Sequence, residues 1–166
     1  MASFADRQAA QPEGGFIVED LMARGGTIDP FIQSLNMEVL WADPEEAEGI
    51  LHVTSHVLNP YGTVHGGCLV ALADSVAGHN MAAAGKLSVT QSSTVNFLRP
   101  ATGKVVHCRS RIQKLGRHIS VVAVEQTDEQ GALLTTALFT FNMIKEIPPH
   151  LISSRESFHE LSFMEK

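Results

Sequence analysis

The 166-residue sequence has few of the features that mark secreted, membrane-bound or metal-binding chains. It contains only two cysteines, Cys68 and Cys108, without a Cys-x-x-Cys spacing, so both are expected to stay reduced. No apolar run approaches the ~20 residues that a membrane helix needs, and the first residues lack the basic and then apolar pattern of a signal peptide. We therefore expect a cytoplasmic protein with no membrane partner.

Charged residues are also scarce, at 18% of the chain against 44% apolar residues. This composition is globular and excludes wholesale disorder. The net charge of −6 argues against a nucleic-acid partner. Residues 86–117, the basic segment, contain no Asp or Glu but hold seven of the twelve Lys and Arg. The segment either binds a small anionic ligand or places basic side chains on the solvent face of strands.

The sequence predicts one folded domain with a segment on either side. At this length a single domain with one hydrophobic core is expected. Residues 1–28, with two Gly-Gly pairs, look like a loosely ordered lead-in that holds a short helix near 16–23. The domain spans 29–147, and residues 148–166 are interpreted as a mobile tail.

One long helix and about six strands are predicted within the domain. Asp29 followed by Pro30 starts a short helix over 29–35. The stretch 66–84 forms the long helix, which Gly85 ends. Alternating apolar and polar residues predict strands at about 36–42, 48–54, 88–98, 104–115, 118–127 and 132–144, with a hairpin turn at 127–132.

The long helix is apolar on nearly every side, which predicts that it is covered on most sides. An antiparallel sheet curled around a central helix satisfies this requirement, and the fold class is therefore α+β. The strands that contain VVAVEQT and ALFTFNMI supply the alternating inner face of the sheet.

A single carboxylate, Asp74, interrupts the apolar helix. It is the only formal charge between Gly66 and Gly85, and aspartate is a poor helix former. An unpaired buried carboxylate is costly. Asp74 is therefore either paired structurally, with His79 or with an arginine from a strand, or it is a catalytic acid.

The helix begins at Gly66 and Gly67, where the first N–H groups lack partners and the helix dipole is positive. Glycine also lets a ligand oxygen approach the backbone closely. These amides suit an oxyanion site for a polarised carbonyl; the alternative is that the glycines only allow close packing. The His-Gly-Gly stretch is similar to the oxyanion motif of lipases, but the lack of a Gly-x-Ser-x-Gly elbow argues against a serine hydrolase.

Gly66 and Asp74 lie eight residues apart, which is about 12 Å along a helix at about 1.5 Å per residue. An oxyanion donor and an attacking carboxylate must both reach one carbonyl group within about 3–3.5 Å. One helix cannot supply both groups. If both act, each comes from a different chain, with two helices antiparallel across a twofold axis. The sequence thus predicts an obligatory homodimer with two equivalent sites.

The stretch NPYGTVHGG at 59–67, followed by LAD at 72–74, closely resembles the PaaI-like branch of the hotdog-fold acyl-CoA thioesterases. The strand pattern, FLRPA at 97–101 and LGR at 115–117 extend the resemblance over about 36–144. The resemblance implies a hotdog fold and hydrolysis of an acyl-CoA, which is the substrate. It implies no metal and no cofactor. We expect the dimers to pair into a homotetramer, but the sequence leaves dimer against tetramer and the packing mode open.

The resemblance also implies catalytic roles for four residues. Asp74 would be the nucleophile or general base that attacks or hydrates the thioester. The amide of Gly66 would polarise the thioester oxygen. Asn59 and His65 would orient the loop and the attacking water. Members of the family take the glycine and the acid from opposite subunits, in agreement with the spacing.

A substrate-binding set follows from the same resemblance. A hydroxyl residue early in the strand after the helix would lie near the thioester, and Thr90 matches this position better than Ser92. For the phosphates of coenzyme A, Arg117 is the first choice, and Arg99 has an equally good structural explanation beside a proline. The complete set is Gly67, Thr90, Ser92, Arg99, Gly116, Arg117 and His118.

A cysteine nucleophile and a zinc site are the two chemical alternatives to an aspartate-based thioesterase. Cys68 lies in the first turn of the helix, where thiol pKa values fall. The sequence does not, however, indicate a Cys-His-acid triad that includes it. His52 and His56, with His107 or Cys108, would in principle bind zinc, although ordinary strand residues explain them better.

Two other functions share the fold that the resemblance implies. One is noncatalytic acyl-CoA binding by a sensor, which would normally carry a DNA-binding segment that this sequence lacks. The other is dehydration of acyl thioesters, which typically uses a His and a Glu at other spacings. The acyl group itself stays open between aromatic and short aliphatic types.

Overall fold

A computed structural model describes residues 30–149 and 152 of the chain. The lead-in at 1–28, with its predicted helix near 16–23, lies outside the described residues, as does most of the predicted tail. Among the described residues, no helix is long and apolar enough to cross a membrane.

The predicted elements are confirmed inside the described part of the chain. Strand β2 begins at Glu46, two residues earlier than predicted, because the carboxylate of Asp43 closes a tight turn by accepting the N–H groups of Glu45 and Glu46, both at 2.9 Å. In chain order, the elements are α1 (Pro30–Ser34), β1 (Met37–Ala42), β2 (Glu46–His52), a 3-10 turn (Ser55–Val57), α2 (Gly66–Ala83), β3 (Lys86–Phe97), β4 (Val105–Lys114), β5 (Ile119–Thr127) and β6 (Leu133–Glu146).

The six strands form one antiparallel sheet in the order β1-β2-β4-β5-β6-β3. Strands β1 and β3 are therefore its two edges. Strand β3, with 12 residues, pairs with β6 along its whole length, and the pairing shifts register between Thr90 and Ser92. The shift places Gln91 in a bulge, where the direction of successive side chains changes.

Helix α2 packs one face onto the concave side of the sheet. Aromatic and branched side chains of β5 and β6, including Val122, Val124, Phe139 and Phe141, form the floor beneath it. The buried helix residues are Leu69, Leu72, Ala73, Val76, Ala77, Asn80 and Met81.

The opposite face of α2 is only partly buried among the described residues, and it includes Val70, Ala71, Asp74 and Gly78. A sheet that curls around one side of a helix leaves the other side to be covered from elsewhere. Within the described part of a single chain, the expected cover of the helix is therefore complete on the side of the sheet and partial on the other side.

Glycine ends α2 as predicted. Gly85 has a φ of +76°, a conformation that L side chains rarely adopt, and its carbonyl accepts the N–H of Ile147 at 2.8 Å. The hairpin turn after β5 is also confirmed, with Asp128 accepting two backbone N–H groups and Gly131 at a φ of +81°.

Candidate active site

The first turn of α2 leaves one backbone donor free. The side chain of His65 caps the helix, because its Nδ1 accepts the N–H of Gly67 at 3.2 Å. The N–H groups of Cys68 and Leu69 donate to the carbonyl of His65 at 2.9 and 3.3 Å. Within the described part of the chain, the N–H of Gly66 has no hydrogen-bond acceptor. It is available for a ligand oxygen at the positive end of the helix dipole.

The loop before the helix is held closed by the side chain of Asn59. Its Oδ1 accepts the N–H groups of Tyr61 and Thr63 at 2.9 and 3.3 Å, and its Nδ2 donates to Thr63 Oγ1 at 2.8 Å. The N–H of His65 then donates to the carbonyl of Val57 at 2.7 Å. These bonds give Asn59 and His65 direct roles in shaping the approach to the helix.

A cleft of about 370 Å³ opens beside Gly66. The ring of Phe97 lies against this glycine, since a Cβ placed on Gly66 would be 3.3 Å from the ring. Phe97 is 55% exposed, which leaves the ring free on its other side. The remaining lining residues are mostly apolar: Thr63, Val64, Leu69, Leu98, Arg99, Pro100 and Ala101.

Asp74 lies two turns further along α2 and is only partly buried. Its Oδ1 accepts a hydrogen bond from Thr90 Oγ1 at 2.7 Å. His79 instead bonds the carbonyl of Ser75, with its Nδ1 at 2.8 Å, and no ion pair to Asp74 occurs among residues 30–149. The structural alternative of a partner in His79 or an arginine therefore does not hold.

The bulge at Gln91 separates the two hydroxyl candidates. Thr90 pairs with Phe141, which is buried on the inner face of the sheet. Ser92 pairs with Thr140, whose side chain lies on the outer face. The structure thus brings Thr90 to Asp74 and directs Ser92 away from the helix.

Residues of the turn between β4 and β5 have mainly structural contacts. A Cβ on Gly116 would collide with the carbonyl oxygen of Ile119, and the N–H of Gly116 donates to Ser120 Oγ at 3.1 Å. The backbone carbonyl of His118 accepts an N–H from β6 at 2.9 Å. Arg117 is exposed, and this leaves it as the binding candidate of the turn.

The basic segment is dispersed rather than gathered around the cleft. Arg99 lines the cleft and donates to the carbonyl of Leu133 at 2.7 Å. Arg109 and Arg111 both bond the carboxylate of Glu46 and hold its pKa below the usual value. Arg109 and Arg111 therefore fit the second interpretation of the basic segment, in which basic side chains lie on the solvent face of strands.

Neither cysteine is suited to act as a thiolate. Burial raises the pKa of the Cys68 thiol above its usual value, which disfavours the thiolate. Burial raises the pKa of Cys108 to about 12. Within residues 30–149 and 152, no three His, Cys, Asp or Glu side chains are grouped as metal ligands.

Comparison with known proteins bears on this arrangement. Residues 61–135 match the family model of the thioesterase superfamily. A putative esterase of Haemophilus influenzae is 29% identical over 116 residues, which cover 68% of this chain and 84% of that protein. The acyl-coenzyme A thioesterase PaaI of Escherichia coli is 28% identical over 112 residues, which cover 67% of this chain and 79% of PaaI.

Solved structures give the same result. A hypothetical thioesterase of Streptococcus pneumoniae, crystallised with coenzyme A, is 28% identical with a TM-score of 0.64, and the match covers 68% of this chain and 89% of that one. Crystal structures also exist for two variants of that protein, in which an aspartate, or a threonine sixteen residues further on, is replaced by alanine. The structure of E. coli PaaI superposes with a TM-score of 0.69 over 78% of this chain and 94% of PaaI, at 21% identity.

The same chain thus combines three features of the site with similarity to thioesterases in both sequence and fold. The features are the free amide of a glycine, a partly exposed aspartate and a helix packed against an antiparallel sheet. Residues 61–135 match the thioesterase superfamily, and the chain is similar in sequence to PaaI and has the antiparallel sheet and long helix of the hotdog-fold thioesterases.

Proposed function

We propose that this protein is an acyl-CoA thioesterase that hydrolyses the thioester of a small acyl or arylacyl group in a site shared by two protomers. The observation that carries the proposal is the N–H of Gly66, which has no acceptor in a first turn whose other amides are capped. A donor at this place would stabilise the oxyanion that forms when a thioester carbonyl is attacked.

Asp74 supplies the base or the nucleophile in this proposal. In the general-base form, its carboxylate takes a proton from water as the water oxygen bonds to the thioester carbon. The C–S bond then breaks, and the proton passes to the departing thiolate of coenzyme A. In the nucleophilic form, a carboxylate oxygen first attacks the thioester carbon, and the C–S bond breaks to release the thiolate of coenzyme A. Water then hydrolyses the resulting anhydride, which frees the acid and restores the Asp74 carboxylate, and the proton from water passes to the thiolate. The hydrogen bond from Thr90 orients the carboxylate in either case.

The relatives support the same chemistry. PaaI is an acyl-CoA thioesterase, and the pneumococcal protein was crystallised with coenzyme A. Asp74 and Thr90 are sixteen residues apart, the same separation as the aspartate and threonine replaced in the pneumococcal variants. The reaction as proposed needs only the acyl-CoA and water. Arg117 and Arg99 are the candidates for its phosphates.

The walls of the cleft favour an uncharged acyl group or the pantetheine arm beside Gly66. Phe97, Leu98 and Leu69 are apolar, and Arg99 is the one charged residue among the lining residues. Sites of this kind combine apolar walls with few polar groups that fix orientation. Aromatic and short aliphatic acyl groups both suit such a cleft.

The exposed edge of β3 offers a route to the shared site. Long edge strands are usually covered, because their unpaired backbone groups attract other strands. If two copies of β3 pair antiparallel across a twofold axis, Phe97 beside one Gly66 can face the partner's Thr90 beside the second carboxylate. Because the bulge at Gln91 adds a residue without adding a ladder step, the midpoint between Phe97 and Thr90 is Thr94, opposite Leu138 on β6. In that register, the axis passes at Thr94. Pairing of such dimers into a tetramer stays a prediction.

A lysine at the proposed axis tests this interface. Thr94 is exposed on β3, so Thr94→Lys should fold normally but place two like charges beside each other in the dimer. Because like charges about 4 Å apart cost about 1 kcal/mol even in bulk water, we expect the dimer dissociation constant to rise about fivefold or more. Sedimentation velocity over a dilution series measures this constant, with Glu38→Lys on the opposite edge strand β1 as the control. Equal behaviour of the two variants would contradict the proposed edge.

Removal of the Thr90 hydroxyl tests the orientation of the carboxylate. Thr90→Val keeps the shape of the side chain but removes the hydrogen bond to Asp74. A hydrogen bond to a charged group contributes about 1.5–3 kcal/mol, so we expect kcat to fall about 10- to 100-fold. Thr90→Ser keeps a hydroxyl and should lose much less. A Thr90→Val variant as active as Thr90→Ser would refute this role.

Release of free thiol from a panel of acyl-CoA substrates tests the proposed function as a whole. A thiol-reactive dye should report hydrolysis of at least one aromatic or short aliphatic member. Loss of water from a 3-hydroxyacyl substrate without thiol release would instead indicate a dehydratase. Tight binding of acyl-CoA without turnover would indicate a noncatalytic sensor.

A further inference from the structure

A fully buried glutamine lies in the mostly apolar floor under the first turn of α2. Gln126 lies on β5 with 0% of its surface exposed, between Cys108 on β4 and Thr135 on β6. Its Nε2 donates to the carbonyl of Leu69 at 2.8 Å, and its Oε1 accepts from Thr135 Oγ1 at 2.6 Å.

This arrangement joins two strands, β5 and β6, to one turn of the helix. Leu69 follows Gly66 by three residues, so the carbonyl that Gln126 holds and the free N–H of Gly66 belong to the same turn. Apolar packing alone tolerates small sliding of a helix over a sheet, whereas a hydrogen bond restricts both distance and direction. Buried polar networks whose members are all satisfied make a core more rigid and specify one arrangement.

We propose that Gln126 is a positioning residue, which fixes the first turn of α2 over the sheet and so holds the N–H of Gly66 where a thioester oxygen must lie. The inference rests on the proposed function, because it assigns Gln126 a role in that same site. Misplacement of a catalytic group by about 1 Å costs about 100-fold in rate, so a smaller displacement is already measurable in kcat.

A second buried amide provides a matched control. Asn80 is also fully buried, its Nδ2 donates to the carbonyl of Asp43 at 2.8 Å, and Ser110 Oγ donates to its Oδ1 at 3.3 Å. It therefore ties the other end of α2 to the sheet. Loss of either network should affect stability similarly, but only Gln126 holds the turn that carries Gly66.

The test compares two double variants. Gln126→Met with Thr135→Val replaces both hydrogen-bonding partners by apolar groups of similar shape, which keeps the core filled and leaves no hydroxyl without a partner. Asn80→Leu with Ser110→Ala does the same at the other end. Because an oxyanion donor acts mainly in the transition state, we expect the Gln126 pair to lower kcat about tenfold with KM within about twofold. The Asn80 pair should keep kcat within about twofold.

Amide hydrogen exchange supplies a readout that needs no turnover. In the Gln126 pair, the amides of residues 67–73 should exchange at least about fivefold faster, while the same amides in the Asn80 pair should not. Three results would overturn the proposal. The first is unchanged exchange in the Gln126→Met, Thr135→Val double variant, and the second is faster exchange in that variant with an unchanged kcat. The third is an equal loss of kcat in both double variants. If the unaltered protein releases no thiol from any substrate, the proposed function fails. In that case, amide hydrogen exchange still tests whether Gln126 fixes the first turn of α2 over the sheet.

Discussion

Replacement of Asp74 by asparagine is expected to lower thiol release by at least about 100-fold while the protein stays folded and dimeric. Asparagine has the shape of aspartate, and its side-chain oxygen still accepts the hydrogen bond that Thr90 Oγ1 donates. What it lacks is the basic oxygen that removes a proton from water or attacks the thioester. General acid–base catalysis of this kind typically contributes about 10²- to 10⁴-fold.

The measurement is kcat from a thiol-reactive dye assay, with circular dichroism and sedimentation as checks on the fold and the dimer. Ser75→Ala provides the control, since it alters the neighbouring residue of the same helix, and it should keep normal turnover. An Asp74→Asn protein with a normal kcat would remove the carboxylate from the mechanism.

The second large effect is expected from Gly66→Pro. Gly66 is the first helical residue, a position where proline is favoured and where the missing N–H breaks no helical bond. The preceding residue, His65, has a φ of −61° and a ψ of 131°, which suits the position before a proline. The substitution therefore deletes the proposed oxyanion donor and leaves the helix intact. Loss of one such donor typically costs about 10²- to 10³-fold in kcat.

Gly66→Ala separates the lost donor from the added bulk. Either side chain brings a Cβ to within 3.3 Å of the Phe97 ring, so the ring must shift in both variants. Phe97 is 55% exposed and can move at low cost. Alanine keeps the N–H, so Gly66→Pro should be slower than Gly66→Ala by about 100-fold in kcat. Equal rates in the two variants would show that the amide takes no part.

The helix and the strands were predictable because their signals are local. The apolar stretch from Gly66 to Gly85 and the alternating strands give the periods of a helix and of a sheet. The order of the strands depends on which distant segments pair, and periodicity does not show this. That β3 lies at an edge, beside β6, follows only from the structure.

The candidate site was only partly predictable for the same reason. Asp74 and Gly66 stand out locally, as an acid in an apolar helix and a glycine at its start. The choice between Thr90 and Ser92 depends on the register shift at Gln91, a feature of strand pairing that leaves no clear mark in the sequence. The shift turns one hydroxyl toward the helix and the other away.

Contacts between distant residues were the hardest to predict. Gly116 belongs to the predicted substrate-binding set, yet the carbonyl of Ile119 gives this glycine a steric explanation. Gln126 does not stand out in the sequence, because a glutamine in an alternating strand carries no clear signal of full burial under a helix. The only hint was its place in the inward-facing half of the alternation on β5.

In the proposed site, one protomer contributes the amide of Gly66 and its partner contributes Asp74 to the same carbonyl group. Mixing the two inactive proteins, Gly66→Pro and Asp74→Asn, tests it directly once their subunits have exchanged. Each mixed dimer then contains one site with both groups intact and one site with neither. A statistical mixture has half of its dimers mixed, so thiol release should recover to about a quarter of the unaltered rate per chain. If exchange is verified and turnover stays at the level of the separate variants, two protomers do not share the site.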